Sequence, residues 1–265
     1  REGLDESEIP DLSIIDEDTG TKLLDAELLR AAAGGNLFCP RVVAQDSAFF
    51  IFYRDETRLW SRVVLASAPT TLGAEATLIN SANFNSGAGQ MNYDAIASGA
   101  GGNAAVYVAY AYNDGVTGVR GSLVTRVAST PSFSATANLM TAGEVTSATA
   151  IGVVAFTSTR VLVVAASTVG THVGVAGVVT DELLNSIVAT TVINATAVTR
   201  NHLCGVLHGT GALAASIQLF FDGALNNNAT ALLPIVSQAV TVALATSAGP
   251  TLVQNSATFA AASTT

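Results

Sequence analysis

Short runs of β-prone apolar residues recur along this chain at a nearly constant interval, and that interval constrains the fold more than any other feature. Residues 49–53 (FFIFY), 106–110 (VYVAY), 161–165 (VLVVA) and 216–220 (SIQLF) begin 57, 55 and 55 residues apart. Each is preceded by another strand-like run, at 41–44, 94–97, 149–153 and 203–207. The first three are followed by a third run, at 59–65, 119–124 and 173–179, and by a fourth at 76–79, 137–140 and 190–193. One unit is therefore four short strands separated by turn residues. Asn113-Asp114-Gly115 is the clearest hairpin signal, because these residues tolerate positive φ at little cost.

Four antiparallel strands repeated at such a period predict an all-β fold, a β-propeller of about four visible blades with a repeat of about 55 residues. A single blade cannot bury both faces, so neighbours around an axis must cover it. The second run of each unit is nearly unbroken in apolar residues, as befits a strand buried on both sides. The blades are expected at 37–90, 91–146, 147–199 and 200–265. The fourth is the least regular, with its third and fourth runs expected at 231–236 and 240–245. The tail after Pro250 is read as a strand of a further blade. The chain begins without Met, so a larger ring completed by other segments is also open.

Residues 1–36 do not share the repeat. The stretch 22–33 reads as a short N-terminal helix, capped by Thr19 or Thr21 and stopped by Gly34-Gly35, with Leu23, Leu24, Leu28 and Leu29 on one face. Residues 1–30 hold ten acidic and three basic side chains, and the first twenty read as an acidic arm that orders only against a partner. No signal pattern precedes it.

Charge narrows the function classes. Net charge is −9, only 12% of residues are charged, and Lys22 is the sole lysine. A nucleic-acid surface needs clustered cations, and a phosphate-binding loop ends in Gly-Lys; neither occurs. Residues 63–265 hold seven acidic and four basic side chains. So few charges leave a surface with poor colloidal stability. Either other subunits cover it, or Thr, Ser and Asn solvate a secreted protein. No run of about 18 apolar residues spans a membrane as a helix. A lipid-embedded barrel is a weaker option, because aromatics are only 6% and the second strands do not alternate.

No candidate site assembles into a motif, and no catalytic, cofactor-binding or metal-binding residue is assigned. Cys39 and Cys204 are 165 residues apart, three repeats, and read as equivalent small buried thiols. Among His172, His202 and His208, the last two flank one strand too far apart for a single metal. Residues 99–104 match G-x-G-x-x-A but precede a strand, where a dinucleotide site needs a helix. Residues 53–60 are similar in spacing to the Asp-box of sialidase-like propellers through Asp55 and Trp60. Tyr53, Thr57 and Leu59 depart from it, and in that family the box is structural.

A propeller glycosidase needs two carboxylates at about 5–5.5 or 6.5–9.5 Å. Asp46, Asp55, Glu56, Glu75, Asp94, Asp114, Glu144, Asp181, Glu182 and Asp222 are the choices, and only Asp94 falls where an inner strand lines the axis. The arginines sit mostly at strand ends. Phe84, Tyr93 and Phe133 are the loop-placed aromatics that a glycan-binding rim would use. Asn-Ala-Thr sequons stand at 194–196 and 228–230.

The cadence of residues 93–180 resembles the propeller repeats in tail proteins of tailed bacteriophages, where a ring of nozzle proteins builds the distal tube. That resemblance implies a non-enzymatic structural protein of the virion tail. Its partners are itself, as a ring-forming homo-oligomer, and other tail proteins. Stable nucleic-acid binding and membrane insertion are not expected, and neither is a cofactor. The alternatives are an extracellular glycan- or receptor-binding propeller and, behind it, a propeller glycoside hydrolase.

Overall fold

The computed structural model describes residues 11–15, 22–28, 38–55, 58–80, 82–84, 92–98, 105–157, 159–197, 203–208, 216–222, 235–241, 243–244 and 251–254. Four four-stranded antiparallel sheets succeed one another about an axis as the blades of a β-propeller. Blade 1 is β3 (Phe38–Gln45), β4 (Ala48–Arg54), β5 (Arg58–Leu65) and β6 (Ala76–Asn80). Blade 2 is β7 (Tyr93–Ala97), β8 (Val106–Ala111), β9 (Thr117–Val127) and β10 (Thr130–Thr141). Blade 3 is β11 (Ala150–Thr157), β12 (Arg160–Ser167), β13 (Gly174–Thr180) and β14 (Ser186–Asn194). Blade 4 is β15 (Leu203–His208), β16 (Ser216–Asp222), β17 (Ile235–Thr241) and β18 (Thr251–Gln254). Within each blade the strands follow chain order from the inside outward. The inner strands pack in sequence, β3 on β7, β7 on β11 and β11 on β15.

The runs singled out by their spacing are these strands. β8 is buried along its whole length and β12 at all but one position, because each lies between two neighbouring blades; β4, buried at all but one position, packs one face on blade 2 and the other under Trp60, Val64 and Leu72 of its own blade. Between β3 and β4, Asp46 (φ 47°) and Ser47 (φ 55°) form a two-residue turn with both φ values positive, the twist that matches a hairpin. The expected turn between β8 and β9 places Gly115 at φ 83°.

Strand alternation divides each blade into a face toward the preceding blade and a face toward the next. Phe50, Phe52 and Val63 of blade 1 pack on Tyr93, Ala95, Val106 and Val108 of blade 2. Tyr107, Ala109 and Leu123 of blade 2 pack on Ile151, Val153, Val161 and Val163 of blade 3. Val154, Leu162 and Val164 of blade 3 pack on Leu203, Ile217 and Leu219 of blade 4. A leucine knob recurs at the outer part of these contacts. Leu184 (φ 72°) and Leu244 (φ 61°), each following the third strand of its blade, are buried in left-handed backbone. A Cβ on Gly121 would lie 2.8 Å from Leu184 Cδ2, and one on Gly177 would lie 3.3 Å from Leu244 Cδ2. Glycine on the third strand makes the hole that the next blade's leucine fills.

Three expectations are corrected. Residues 22–28 are not a helix: Lys22–Leu28 is strand β2, paired antiparallel with β1 (Asp11–Ile15), so Asp11 faces Leu28 and Ile15 faces Lys22. A lone helix of about 12 residues is marginal, and a pairing partner with adjacent Ile14 and Ile15 overrides helix propensity. In blade 4 the third strand is the single strand β17, which runs through the gap between the two runs expected at 231–236 and 240–245. The tail after Pro250 supplies the fourth strand of blade 4, β18, pairing Leu252 with Val236, and is not the start of a further blade. Cross-strand register also shows that Val163 (opposite Val153) is matched by Leu219 (opposite Gly205), a step of 56 residues. Blade 4 is thus one residue out of frame with the period read from sequence, and one residue exchanges the two faces of a strand. No helix among the described residues is long and apolar enough to cross a membrane.

Candidate functional site

Among the described residues, a polar cluster joins the inner strands of blades 1 to 3. Arg41, opposite Phe52, and Asp94, opposite Ala109, hold the same register step in adjacent blades. Arg41 Nε donates to Asp94 Oδ1 over 3.1 Å, with the side chains 32% and 16% exposed. Asp94 Oδ1 also accepts from the Ala95 N–H (2.9 Å), and Oδ2 accepts from the Val153 N–H of blade 3 (2.9 Å). One carboxylate therefore ties three blades together. Burial raises the pKa of Asp94, against the Arg41 charge and the two backbone donors, which favour the ionised form. Beside it the buried Tyr93 hydroxyl donates to the Cys39 carbonyl, and burial holds that phenol well above its ordinary pKa. Further along the same strands Gln45 Nε2 donates to the Ser98 carbonyl (3.2 Å).

Asp94 was legible as the axial carboxylate; Arg41 was not. The signal that finds it is the separation of 53 residues, close to one repeat, between two opposite charges on first strands. Blades 3 and 4 carry Gly152 and Cys204 at this step, opposite Val164 and Phe220. None of β3, β7, β11 and β15 holds an Asp or Glu other than Asp94. The acid–base pair that glycoside hydrolysis requires is not assembled on these strands.

The remaining candidates are structural where they are described. Trp60 Nε1 donates to Asp55 Oδ2 (3.1 Å), the Asp55 N–H donates to the Arg58 carbonyl (3.1 Å), and the Arg58 guanidinium lies 5.5 Å from the Trp60 ring. Asp55 and Trp60 thus close the β4–β5 hairpin, the role the Asp-box resemblance implied. Tyr53, whose hydroxyl donates to Glu75 (2.7 Å), has its pKa raised by burial and then by Glu75. Asp114 accepts from the Thr117 and Val116 N–H groups (2.6 and 2.9 Å) and pairs with Arg120 (3.3 Å). Those two backbone donors lower its pKa.

Cys39 is half-buried and Cys204 exposed, so the reading of two buried thiols is corrected. Their equivalence is corrected too, because Cys204 shares its register step with Arg41. His172 is half-buried, its Nδ1 3.0 Å from Thr171 Oγ1, and His208 ends β15 opposite Ser216. His202 lies outside the described residues, among which no three metal-ligating side chains gather.

Residues 99–104 also lie outside the described residues. The Ser98 N–H donates to the Ala105 carbonyl (3.0 Å) at the base of the β7–β8 connection, so strand follows strand there. Of the three rim aromatics, Phe84 and Tyr93 are buried and Phe133 is half-buried, stacked on Tyr110 with ring centroids 6.5 Å apart. Asn194 is 8% exposed and its side chain caps the Thr196 N–H (3.0 Å), a poor acceptor for a glycan; Asn228 is outside the described residues.

Comparison with protein-family models and with curated proteins finds no match. Among solved structures the chain is similar to a xylan β-1,4-xylosidase from Bacillus halodurans C-125, with a TM-score of 0.44 and 9% identity. The likeness covers 80% of this chain and 43% of that one, so the chain spans less than half the length of the structure it matches.

Proposed function

We propose that this chain is a structural propeller that works through protein–protein contacts, as a subunit of a viral tail of the kind its repeat resembles. The observation that carries the reading is the use made of Asp94. The one carboxylate on the inner strands is held by Arg41 and by two backbone N–H groups from blades 2 and 3. That arrangement fastens blades together and leaves no second carboxylate on those strands to act as acid or nucleophile. The sparse surface charge supports the same reading, since exposed Val42, Val116, Val127, Val169 and Leu183 stand among few ionic groups.

The test has two arms. Static light scattering on the purified chain should give a mass of several copies, and a stable monomer counts against the proposal. A panel of aryl glycosides should show no turnover. Hydrolysis abolished by Asp94→Asn would replace the structural reading with the glycosidase one.

A further inference from the structure

The repeated contact between blades leaves one face without its counterpart. Val42 (opposite Ile51), Ala95 (opposite Val108) and Val153 (opposite Val163) hold the same register step on the face toward the preceding blade. Ala95 and Val153 are 7% and 5% exposed, whereas Val42 is 57% exposed. Phe49, Val106 and Val161 form a second equivalent set, at 39%, 0% and 3%. Between them on blade 1 lies Ala44, paired with Phe49 and also exposed. The outer half of this face is sealed by blade 1's own β5–β6 connection. Leu72 bridges Val64, Arg62 Nη1 donates to the Gly73 carbonyl (3.4 Å), and Tyr53 donates to Glu75. What stays open is an apolar strip beside the axis, covered by the preceding blade in blades 2 and 3.

The covering face has a counterpart at the other end of the array. In blade 4, Cys204 is exposed and Gln218 and Phe220 are half-exposed. Their equivalents toward the next blade in blade 3 are Gly152, Leu162 and Val164. Among the described residues, β15 makes no contact with β3 comparable to that of β11 with β15. Resting on the structural reading above, we infer that blade 4 of one copy seats on the open strip of blade 1 of a second copy, continuing the blade-to-blade contact from chain to chain. Such a head-to-tail contact closes into a ring when its rotation allows.

The observed interface gives the register of the proposed one. A Cβ on Gly205 would lie 2.5 Å from Val154 Cγ2 across the blade 3–blade 4 contact. Val42 holds the step of Gly205 and Val206 the step of Val154. Val42 and Val206 of different copies should therefore meet at a separation a disulfide can bridge.

The test is a V42C/V206C variant with Cys39→Ser and Cys204→Ser, oxidised mildly and read by non-reducing electrophoresis and mass spectrometry. The inference expects covalent dimers and higher species, with neither single cysteine linking alone. A linked product of monomer mass means that the chain closes on itself, and free thiols mean that something else covers the strip; both overturn the inference. A second variant, Val42→Asp with Phe49→Asp, should bring the light-scattering mass to that of a monomer while leaving the thermal midpoint nearly unchanged. An unchanged mass overturns the seam but leaves the structural reading intact. Asp94-dependent hydrolysis sinks the structural reading whatever the seam does.

Discussion

The contact between blades 1 and 2 and the contact between blades 2 and 3 solve one geometric problem with different chemistry. The first is aromatic and polar. Phe50 and Phe52 stack with centroids 6.4 Å apart, Tyr93 reaches the Cys39 carbonyl, and Arg41 meets Asp94. Arg126 of the β9–β10 hairpin also reaches the Asp46 carbonyl (3.0 Å) and carboxylate (3.4 Å). The second is mostly small and aliphatic, with Ala109, Gly121, Val163 and Ala176 brought close and Leu184 plugging the glycine hole. Its polar links at the core are the Val153 N–H to Asp94 (2.9 Å) and Tyr107 to Thr180 (2.9 Å). Large rings hold wedges apart and need polar anchors for their edges; small residues let sheets approach until backbone and methyl groups touch.

The largest separation between the two contacts should come from truncation. Phe52→Ala empties the aromatic side of the first contact and should cost about 3–5 kcal/mol, read by chemical denaturation. If the loss is below about 1 kcal/mol, the rings are not what holds blades 1 and 2.

Adding a methyl at the second contact is the converse. Gly121→Ala sets a Cβ 2.8 Å from both Leu139 Cδ1 and Leu184 Cδ2 and should cost about 1–3 kcal/mol. In a Leu184→Ala background the same substitution should cost distinctly less, because the knob is gone. Equal costs in the two backgrounds would show that Leu184 and Gly121 are not coupled.

The axial staple differs from both in its dependence on pH. The folded pKa of Asp94 lies above its unfolded value of 3.8, so the folded state holds the extra proton between the two. The resulting stability is fully present below the unfolded value and is lost as pH rises through the folded one. Asp94→Asn should flatten that part of the stability–pH curve, measured by thermal melts across the acid range. A wild-type curve that rises through the same window would reverse the assignment.

The smallest effect belongs to the exposed latch. Arg126→Ala should cost no more than about 1 kcal/mol, since solvent screens the pair, and added salt should shrink the difference further. A loss rivalling that of Phe52→Ala would move the weight of the first contact to its rim.

Periodicity made blades 1 to 3 legible because their second strands are buried on both faces, and an unbroken apolar run such as 106–110 has few other uses. Blade 4 departs from its expected outline where its third strand passes through Ser237 and Gln238, polar residues that divide one strand into two apparent runs. The helix expected at 22–33 failed because leucine spacing is shared by amphipathic helices and strand edges, and a pairing partner decides between them. Asp94 could be placed near the axis from its position on a first strand. Its two donors from other blades are 53 and 59 residues away, and no local pattern announces them.

From the sequence alone came the number of strands per unit, the repeat and the all-β character, because alternation, burial and turn chemistry act over a few residues. The tertiary structure alone decided which faces meet, that Arg41 and Asp94 pair, and that Val42 and Phe49 remain open. Those outcomes depend on register between segments some fifty residues apart, where a single-residue shift exchanges the inside of a contact for its outside.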